Sequence, residues 1–400
     1  MAAKGRILFV DDDPRELAVL RSQASLLGAD WEAEFQDSAE HGLQSFAREP
    51  FNVVVTDLHM PDMDGAAFLQ EVMARYPATI RLMLAAGHER ETALQSLSWA
   101  HQFLLKPCDL RFVKSVVEFS YAQGRHVGNE HVRELVARIG QLPAVPDLYR
   151  QITDLLDSDR GSVEQVGEVI AKDMAMTAMI LKLANSAFFS LRQPVTSAAE
   201  AVSYLGVALV KALVLAHGLF GQVGSFRIPH FTIQHLWQHS LAVGAAARRI
   251  AEVEETGTHR ASEFFTAGLL HDLGILILAS RFPDDYARVL ETSRRSGGDL
   301  ESTEFHVFGA THGEVGAYLL ALWGLPEPIV QAAAHHHGID RQAFRDFSAA
   351  LAVHVADCLY AYNPDHEIFS RARLDMAYLT ALGLADRIPD WKAAAQMKAD

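Results

Sequence analysis

Apolar residues in the first third of the chain fall into short blocks separated by amphipathic stretches. Ile7–Val10, Val53–Thr56, Arg81–Ala85 and Gln102–Leu105 read as strands, with helical spacing in the segments between them. Strand and helix alternating at this rhythm predict a parallel sheet covered by helices on both faces. Val53–Thr56 is β-branched and uncharged, as a strand buried on both faces should be. Asp11, Asp57 and Lys106 each stand at the carboxyl end of such a run, and that edge is where open α/β sheets bind ligands.

From Phe112 the texture changes. Phe112–Tyr121 reads as the last helix of the first domain, Gln123–Asn129 as a polar, glycine-bearing joint, and His131–Ile139 as a connecting helix. After Leu142-Pro-Ala-Val-Pro146 the periodicity is helical almost throughout, with Gly and Pro as punctuation and no repeat of fixed length. The second half is therefore expected to be all-α, as one domain or as two helical subdomains joined near Gly221–His230. The expected division is residues 1–122, a linker and connecting helix at 123–134, and a helical domain over 135–400. The core of that domain is expected at about 135–360, with a helical C-terminal extension. A chain of 400 residues is long enough to bury a separate core in each.

Charge narrows the partners. With 35 Lys plus Arg against 50 Asp plus Glu, the net charge is −15, and no basic patch of any length is present. Such a chain repels phosphate backbones, so nucleic-acid binding is not expected. The most apolar later stretches, Ala201–Val223 and Phe264–Ala279, contain Lys211 and His217 in the first and His271 and Asp272 in the second. Buried helices explain both better than membrane spans. Cys108 and Cys358 form no CxxC pair, which fits a reducing compartment. The N-terminus leads directly into a strand, unlike a signal peptide. A soluble, cytoplasmic protein without membrane insertion is the expectation.

The acids of the first domain gain meaning from their number. Singly, each of Asp11, Asp12, Asp13 and Asp57 can be read as the cap of a following helix. Together at one sheet edge they repel one another unless a cation or a lysine compensates. A hard divalent ion takes oxygen ligands and leaves positions open for phosphate. A carboxylate can then accept a phosphoryl group while lysine and metal neutralise its oxygens.

Three segments, Ile7-Leu-Phe-Val-Asp-Asp-Asp-Pro14, Val55-Thr-Asp-Leu-His-Met-Pro-Asp-Met-Asp-Gly65 and Phe103-Leu-Leu-Lys-Pro107, resemble the response-regulator receiver family over roughly residues 4–122. The resemblance implies a flavodoxin-like, doubly wound parallel sheet of five strands. It makes Asp57 the phosphoacceptor and Asp11, Asp12, Asp57 and the backbone carbonyl of His59 the ligands of Mg²⁺. Lys106 becomes the contact to the acyl phosphate and Phe103 the switch aromatic. Receivers usually place Ser or Thr at the end of the fourth strand, whereas Leu84-Ala-Ala-Gly-His88 puts Ala86 there. The missing hydroxyl removes one hydrogen bond to the phosphoryl group, roughly 1.5–3 kcal/mol for a charged partner.

The second half holds many of the 19 histidines in apolar surroundings. His271-Asp272 lies between leucines in a segment that should be buried, and a buried carboxylate without a partner is strongly penalised. A cation or a protonated imidazole is implied, with His239, His312, Asp357 and the cluster at 335–337 available as partners. Imidazole with carboxylate suits Zn, Mn or Fe. His354 reads instead as a satisfied core or surface histidine.

Leu142-Pro-Ala-Val-Pro146, Leu183-Ala-Asn-Ser-Ala187, Gly268-Leu-Leu-His-Asp-Leu-Gly274 and Trp323-Gly-Leu-Pro326 resemble the HDOD domain. HDOD is an all-α output branch of the HD superfamily of metal-dependent phosphohydrolases. By that resemblance His239, His271, Asp272 and Asp357 occupy the one-metal positions. His312, His336 and His337 fall where the related HD-GYP phosphodiesterases bind further metal. Ile275 stands where those enzymes commonly have Lys, and Gly338-Ile-Asp-Arg replaces their Gly-Tyr-Pro stretch. The expected function is a response regulator phosphorylated by a histidine kinase. Its output is expected to act on a downstream signalling protein by protein–protein interaction, and the chain is compatible with a homodimer. The alternative is a metal-dependent phosphohydrolase acting on cyclic dinucleotides.

Overall fold

The computed structural model describes residues 5–28, 31–86, 99–106, 130–139, 146–156, 161–184, 195–222, 227–254, 258–296, 299–323, 325–338, 346–360 and 374–396. The final helix and joint expected at 112–129, Pro107 and Cys108 lie outside them. The chain forms two compact units, residues 1–144 with 318–325, and 145–317 with 326–400.

In the first unit, β1 (Gly5–Val10), β2 (Trp31–Gln36), β3 (Val53–Asp57), β4 (Ile80–Ala86) and β5 (Gln102–Lys106) build one sheet. All pairs are parallel and the order is β2-β1-β3-β4-β5. This is a doubly wound sheet whose strand order reverses beside β1 and β3, placing a ligand crevice at their carboxyl ends. Helices α1 (Pro14–Ser22), α2 (Ala39–Arg48) and α3 (Gly65–Arg75) follow β1, β2 and β3. β3 is buried at every residue, as its β-branched run requires. Leu8, Val10, Val54 and Met83 pack with Phe46, Phe68 and Val72 into one core.

β2 is the strand the short-run reading passed over. Trp-Glu-Ala-Glu-Phe-Gln alternates apolar and charged residues, the signature of an edge strand half open to water. Glu34 on it is held by Arg6 and Arg48.

The second unit is helical among the described residues, apart from an isolated bridge between Ile228 and Phe231. Helix α4 (Glu130–Ile139) lies in the first unit and crosses residue 134. The helical unit contains α5 (Asp147–Leu156), α6 (Val163–Ala171), α7 (Met174–Ala184), α8 (Ala198–Leu205) and α9 (Val207–Gly221). Then come α10 (Ile233–Val253), α11 (Thr258–Leu270), α12 (Leu273–Arg281), α13 (Pro283–Ser296) and α14 (Leu300–Phe308). Finally α15 (His312–Leu322), α16 (Glu327–His335), α17 (Ala349–Tyr360), α18 (Met376–Ala381) and α19 (Ile388–Gln396) complete the chain. The stretch Arg260–Arg281 is long and apolar enough to cross a membrane, but 83% of its most apolar window is buried inside the protein. It is a core segment, and it carries His271-Asp272 at the break between α11 and α12.

Candidate functional site

At the carboxyl edge of the sheet, the capping explanation separates the acids. Asp13 caps α1 by accepting from the Arg15 amide at 2.7 Å, and Asp64 caps α3 by accepting from the Ala67 amide at 2.8 Å. Asp11 and Asp57 do something else. Lys106 Nζ lies 2.9 Å from Asp11 Oδ2 and 2.6 Å from Asp57 Oδ1, with both carboxylates nearly buried. Asp12 is exposed, and one carboxylate oxygen from each of Asp11, Asp12 and Asp57 falls within 4.8 Å of the others. Burial pushes the Asp57 carboxyl up, against the opposing pull of Lys106. Burial alone would depress Lys106, but hydrogen bonds to Asp11, Asp57 and Glu16 outweigh it and hold the ammonium above its ordinary range. The loop after Asp57 folds tightly over this edge. A Cβ on Gly65 would lie 2.1 Å from the Asp57 carbonyl oxygen, so only glycine fits there.

Glu16, on the first turn of α1, was not singled out in the sequence. Its Oε2 stands 2.6 Å from Lys106 Nζ. An acid in a first turn reads as a helix-dipole residue, and only the sheet geometry reveals that it faces Lys106. Ala86 lies in register with Lys106 across β4 and β5, and Phe103 with Met83. The side chains of Ala86 and Phe103 are outside the described residues. His59 is exposed in the loop beyond β3.

In the helical unit the structure brings together all seven residues named from the sequence. His239 comes from α10, His271 and Asp272 from the break between α11 and α12, and His312 from the start of α15. His336 and His337 follow α16, and Asp357 lies on α17. Asp272 is the hub. It occupies the N-cap position of α12 yet makes no capping hydrogen bond. Its Oδ2 instead lies 3.3 Å from Nε2 of both His239 and His271. Its Oδ1 lies 3.5 Å from His312 Nε2 and 3.4 Å from His336 Nε2. Asp357 Oδ1 is 3.2 Å from His239 Nε2, and its Oδ2 is 3.8 Å from His337 Nδ1. Glycine makes the convergence possible: a Cβ on Gly274 would sit 1.9 Å from the carbonyl oxygen of His312.

The far nitrogens decide what the near ones are. His271 Nδ1 is 2.7 Å from the Gly268 carbonyl and His336 Nδ1 is 2.9 Å from the Ala333 carbonyl. Each histidine stands just past a helix end and donates to a carbonyl of the last turn, which has no helical partner. A carbonyl cannot donate, so Nδ1 carries the hydrogen and the inward Nε2 of a neutral ring is a lone pair. His312 Nδ1 is tied likewise to Glu304 Oε2 at 2.6 Å. Yet His312 Nε2 faces His336 Nε2 at 3.2 Å and His337 Nε2 at 3.1 Å. Lone pairs aimed at one another and at buried carboxylates call for a proton or a metal cation among them. Ligand atoms about 2.0–2.2 Å from a metal stand roughly 3.0–3.6 Å apart along a tetrahedral or octahedral edge. The observed separations match, and tethering of the outer nitrogen is the usual support of metal-bound histidine. Two adjacent donor groups fit: Asp272, His312, His336 and His337, and His239, His271 and Asp357.

Without a metal, the two aspartates pull His239 up to about 9 against the opposing effect of burial. Glu304 and Asp272 likewise carry His312 up to about 10, again against burial. Burial lowers His271 and His337. His354, read from sequence as a satisfied histidine, lies 2.7 Å through Nδ1 from the His336 carbonyl and stays outside both groups. Glu304 and Tyr286 were missed. Their partners are eight and eighteen residues away, at no helical spacing.

Two families match the chain. Residues 7–118 match the response regulator receiver domain and residues 142–339 the HDOD domain. A curated relative, the transcriptional regulatory protein ZraR of Salmonella typhimurium, is 32% identical over 157 residues, covering 38% of this chain and 35% of that protein. An uncharacterized protein of Treponema pallidum is 25% identical over 206 residues, 50% of this chain and 39% of the other. The chain thus spans about two-fifths or less of these relatives' lengths. Among solved structures, an HDOD domain protein from Geobacter sulfurreducens matches with a TM-score of 0.50 at 26% identity, over 66% of this chain and 96% of that one. A putative phosphohydrolase from Shewanella amazonensis shares the fold at 22% identity and a TM-score of 0.50, over 67% and 97%. The chain joins a response regulator receiver domain to an HDOD domain. A receiver domain implies interaction with a histidine kinase, and both domains suggest binding of divalent metal.

Proposed function

We propose that Asp57 accepts a phosphoryl group from a histidine kinase and that the HDOD unit passes the signal on through protein–protein contact. The observation that carries the first part is Lys106 bridging Asp11 and Asp57 at 2.9 and 2.6 Å. In the transfer a carboxylate oxygen of Asp57 forms the new bond to phosphorus as the bond from phosphorus to the kinase's imidazole nitrogen breaks. Lys106, already held between the carboxylates, neutralises charge on the transferred oxygens without reorganising. Asp11, Asp12, Asp57 and the His59 carbonyl are the groups to hold Mg²⁺, which supplies further neutralisation. The Asn amide keeps the shape of the carboxylate but is a poor nucleophile. Beryllium fluoride or acetyl phosphate with Mg²⁺ is therefore expected to modify the wild type and not Asp57→Asn. Equal modification of both overturns the assignment.

For the HDOD unit, six of the seven donor residues are fully buried, and only His337 reaches solvent. A centre so enclosed suits a transition metal, Fe, Mn or Zn, that ties five helical segments together. Metal-dependent hydrolysis of cyclic dinucleotides is the second reading, and the completeness of the donor set favours it. Ile275 and the missing Gly-Tyr-Pro stretch oppose it. Hydrolysis of a cyclic dinucleotide by the metal-loaded wild type, abolished in His337→Ala, decides for the second reading.

A further inference from the structure

Of the three cluster histidines whose outer nitrogens make described hydrogen bonds, one is supported differently from the other two, and the difference has a cost. His271 and His336 are held by neutral backbone carbonyls. His312 is held by Glu304, a carboxylate with no solvent exposure. Glu304 Oε2 accepts from His312 Nδ1 at 2.6 Å and from the His312 backbone amide at 2.8 Å. Glu304 Oε1 accepts from the Tyr286 hydroxyl at 2.8 Å. A carbonyl would have fixed the same ring orientation without burying a charge. Burying a carboxylate is strongly unfavourable unless positive charge stands against it. The amide at the start of α15 and its helix dipole supply part of that charge. The remainder reaches Glu304 through the imidazole, from a proton or a metal at Nε2, where His336, His337 and Asp272 converge.

We propose that Glu304 is a positioning residue for a metal on the His312 side, raising the donor strength of His312 so that this side binds divalent metal more tightly than the His239 side. Tyr286 moderates the effect by drawing charge to the opposite oxygen. The inference rests on reading the cluster as a metal centre, and the test separates the two.

Full-length protein is stripped with chelator and titrated with Co²⁺, whose visible absorption reports the ligand field. The wild type is expected to take up one equivalent tightly and a second more weakly. Glu304→Gln keeps the shape and an acceptor for His312 but removes the charge. It is expected to weaken the tight equivalent by roughly 10–100-fold, with a changed cobalt spectrum and the weak equivalent unmoved. Tyr286→Phe leaves the carboxylate leaning on His312 alone and should move the tight equivalent in the opposite direction. It carries the test if Glu304→Gln does not fold. Unchanged affinity and spectrum in the variants, with only the melting temperature of the metal-free protein lowered, makes Glu304 merely structural and overturns the proposal. A wild type that takes up no cobalt overturns the metal reading beneath it.

Discussion

The two units meet the same electrostatic problem with opposite means. In the receiver, Asp11, Asp57 and Glu16 gather around Lys106, which supplies a permanent positive charge from the chain itself. In the HDOD unit, Asp272 and Asp357 are surrounded by imidazoles, with no lysine or arginine among the ion-pair partners described. A tethered Nδ1 turns Nε2 inward, where a metal can take the place of the proton that His239 and His312 otherwise hold. One site therefore carries its own cation at the edge of a sheet, where a substrate can reach it. On the proposed reading, the other takes a cation from outside and seals it. A lysine suits a site that must admit and release phosphate; a coordinated metal suits one that fastens helices.

The largest effect expected from this contrast follows removal of the hub. Asp272→Ala leaves His239, His271, His312 and His336 without their shared anion, and breaking such a buried set typically costs about 3–5 kcal/mol. Hydrogen exchange of the full chain should show the helical unit opening far more readily, with the receiver unchanged. If exchange around residues 265–280 stays as slow as in the wild type, Asp272 contributes nothing to stability and the fastening role fails.

A second test uses pH. In the metal-free protein His239 and His312 are raised to about 9 and about 10. The stability these pairs add is full below about pH 6.5, the ordinary value for histidine, and is lost as pH rises through 9 and 10. Metal requires deprotonated imidazole, so the loaded protein should gain stability with pH over the same window. Lys106, held above its ordinary range, stays charged throughout and adds no pH dependence there. Thermal melts of chelated and loaded protein between pH 6 and 9 should diverge in sign. Parallel curves contradict the distinction.

The smallest effect concerns coupling within the receiver. Ala86 lies in register beside Lys106. Ala86→Ser should restore a hydrogen bond to the phosphoryl group, an increment of about 1.5–3 kcal/mol at most. Dimerisation measured by light scattering with beryllium fluoride is expected to strengthen. No change means that the signal leaves the receiver by another route.

What could be read in the sequence was what depends on local pattern. Val53–Thr56 announces a doubly buried strand by β-branching and absence of charge, and the acids at strand ends follow from it. Trp31–Gln36 did not stand out as a strand because an edge strand alternates and its charged half faces water. The histidines were legible as a group because apolar neighbours around His271-Asp272 demand burial, and burial demands a partner. Which nitrogen faces inward was not legible, since it depends on carbonyls of Gly268 and Ala333 freed by helix ends. Glu304 stayed hidden for a related reason: in Leu300-Glu-Ser-Thr-Glu-Phe it looks like solvated helix surface, and only the packing of α13 and α15 shows otherwise.

The central claim is that the HDOD cluster needs a cation the chain does not supply, whereas the receiver has one built in. Elemental analysis of the purified full-length protein, followed by calorimetry before and after chelation, tests it most directly. Two equivalents of transition metal are expected, one for each donor group, with a transition of the helical unit that falls on chelation and a receiver transition that does not. A protein that contains no metal and melts identically with and without chelator contradicts the account.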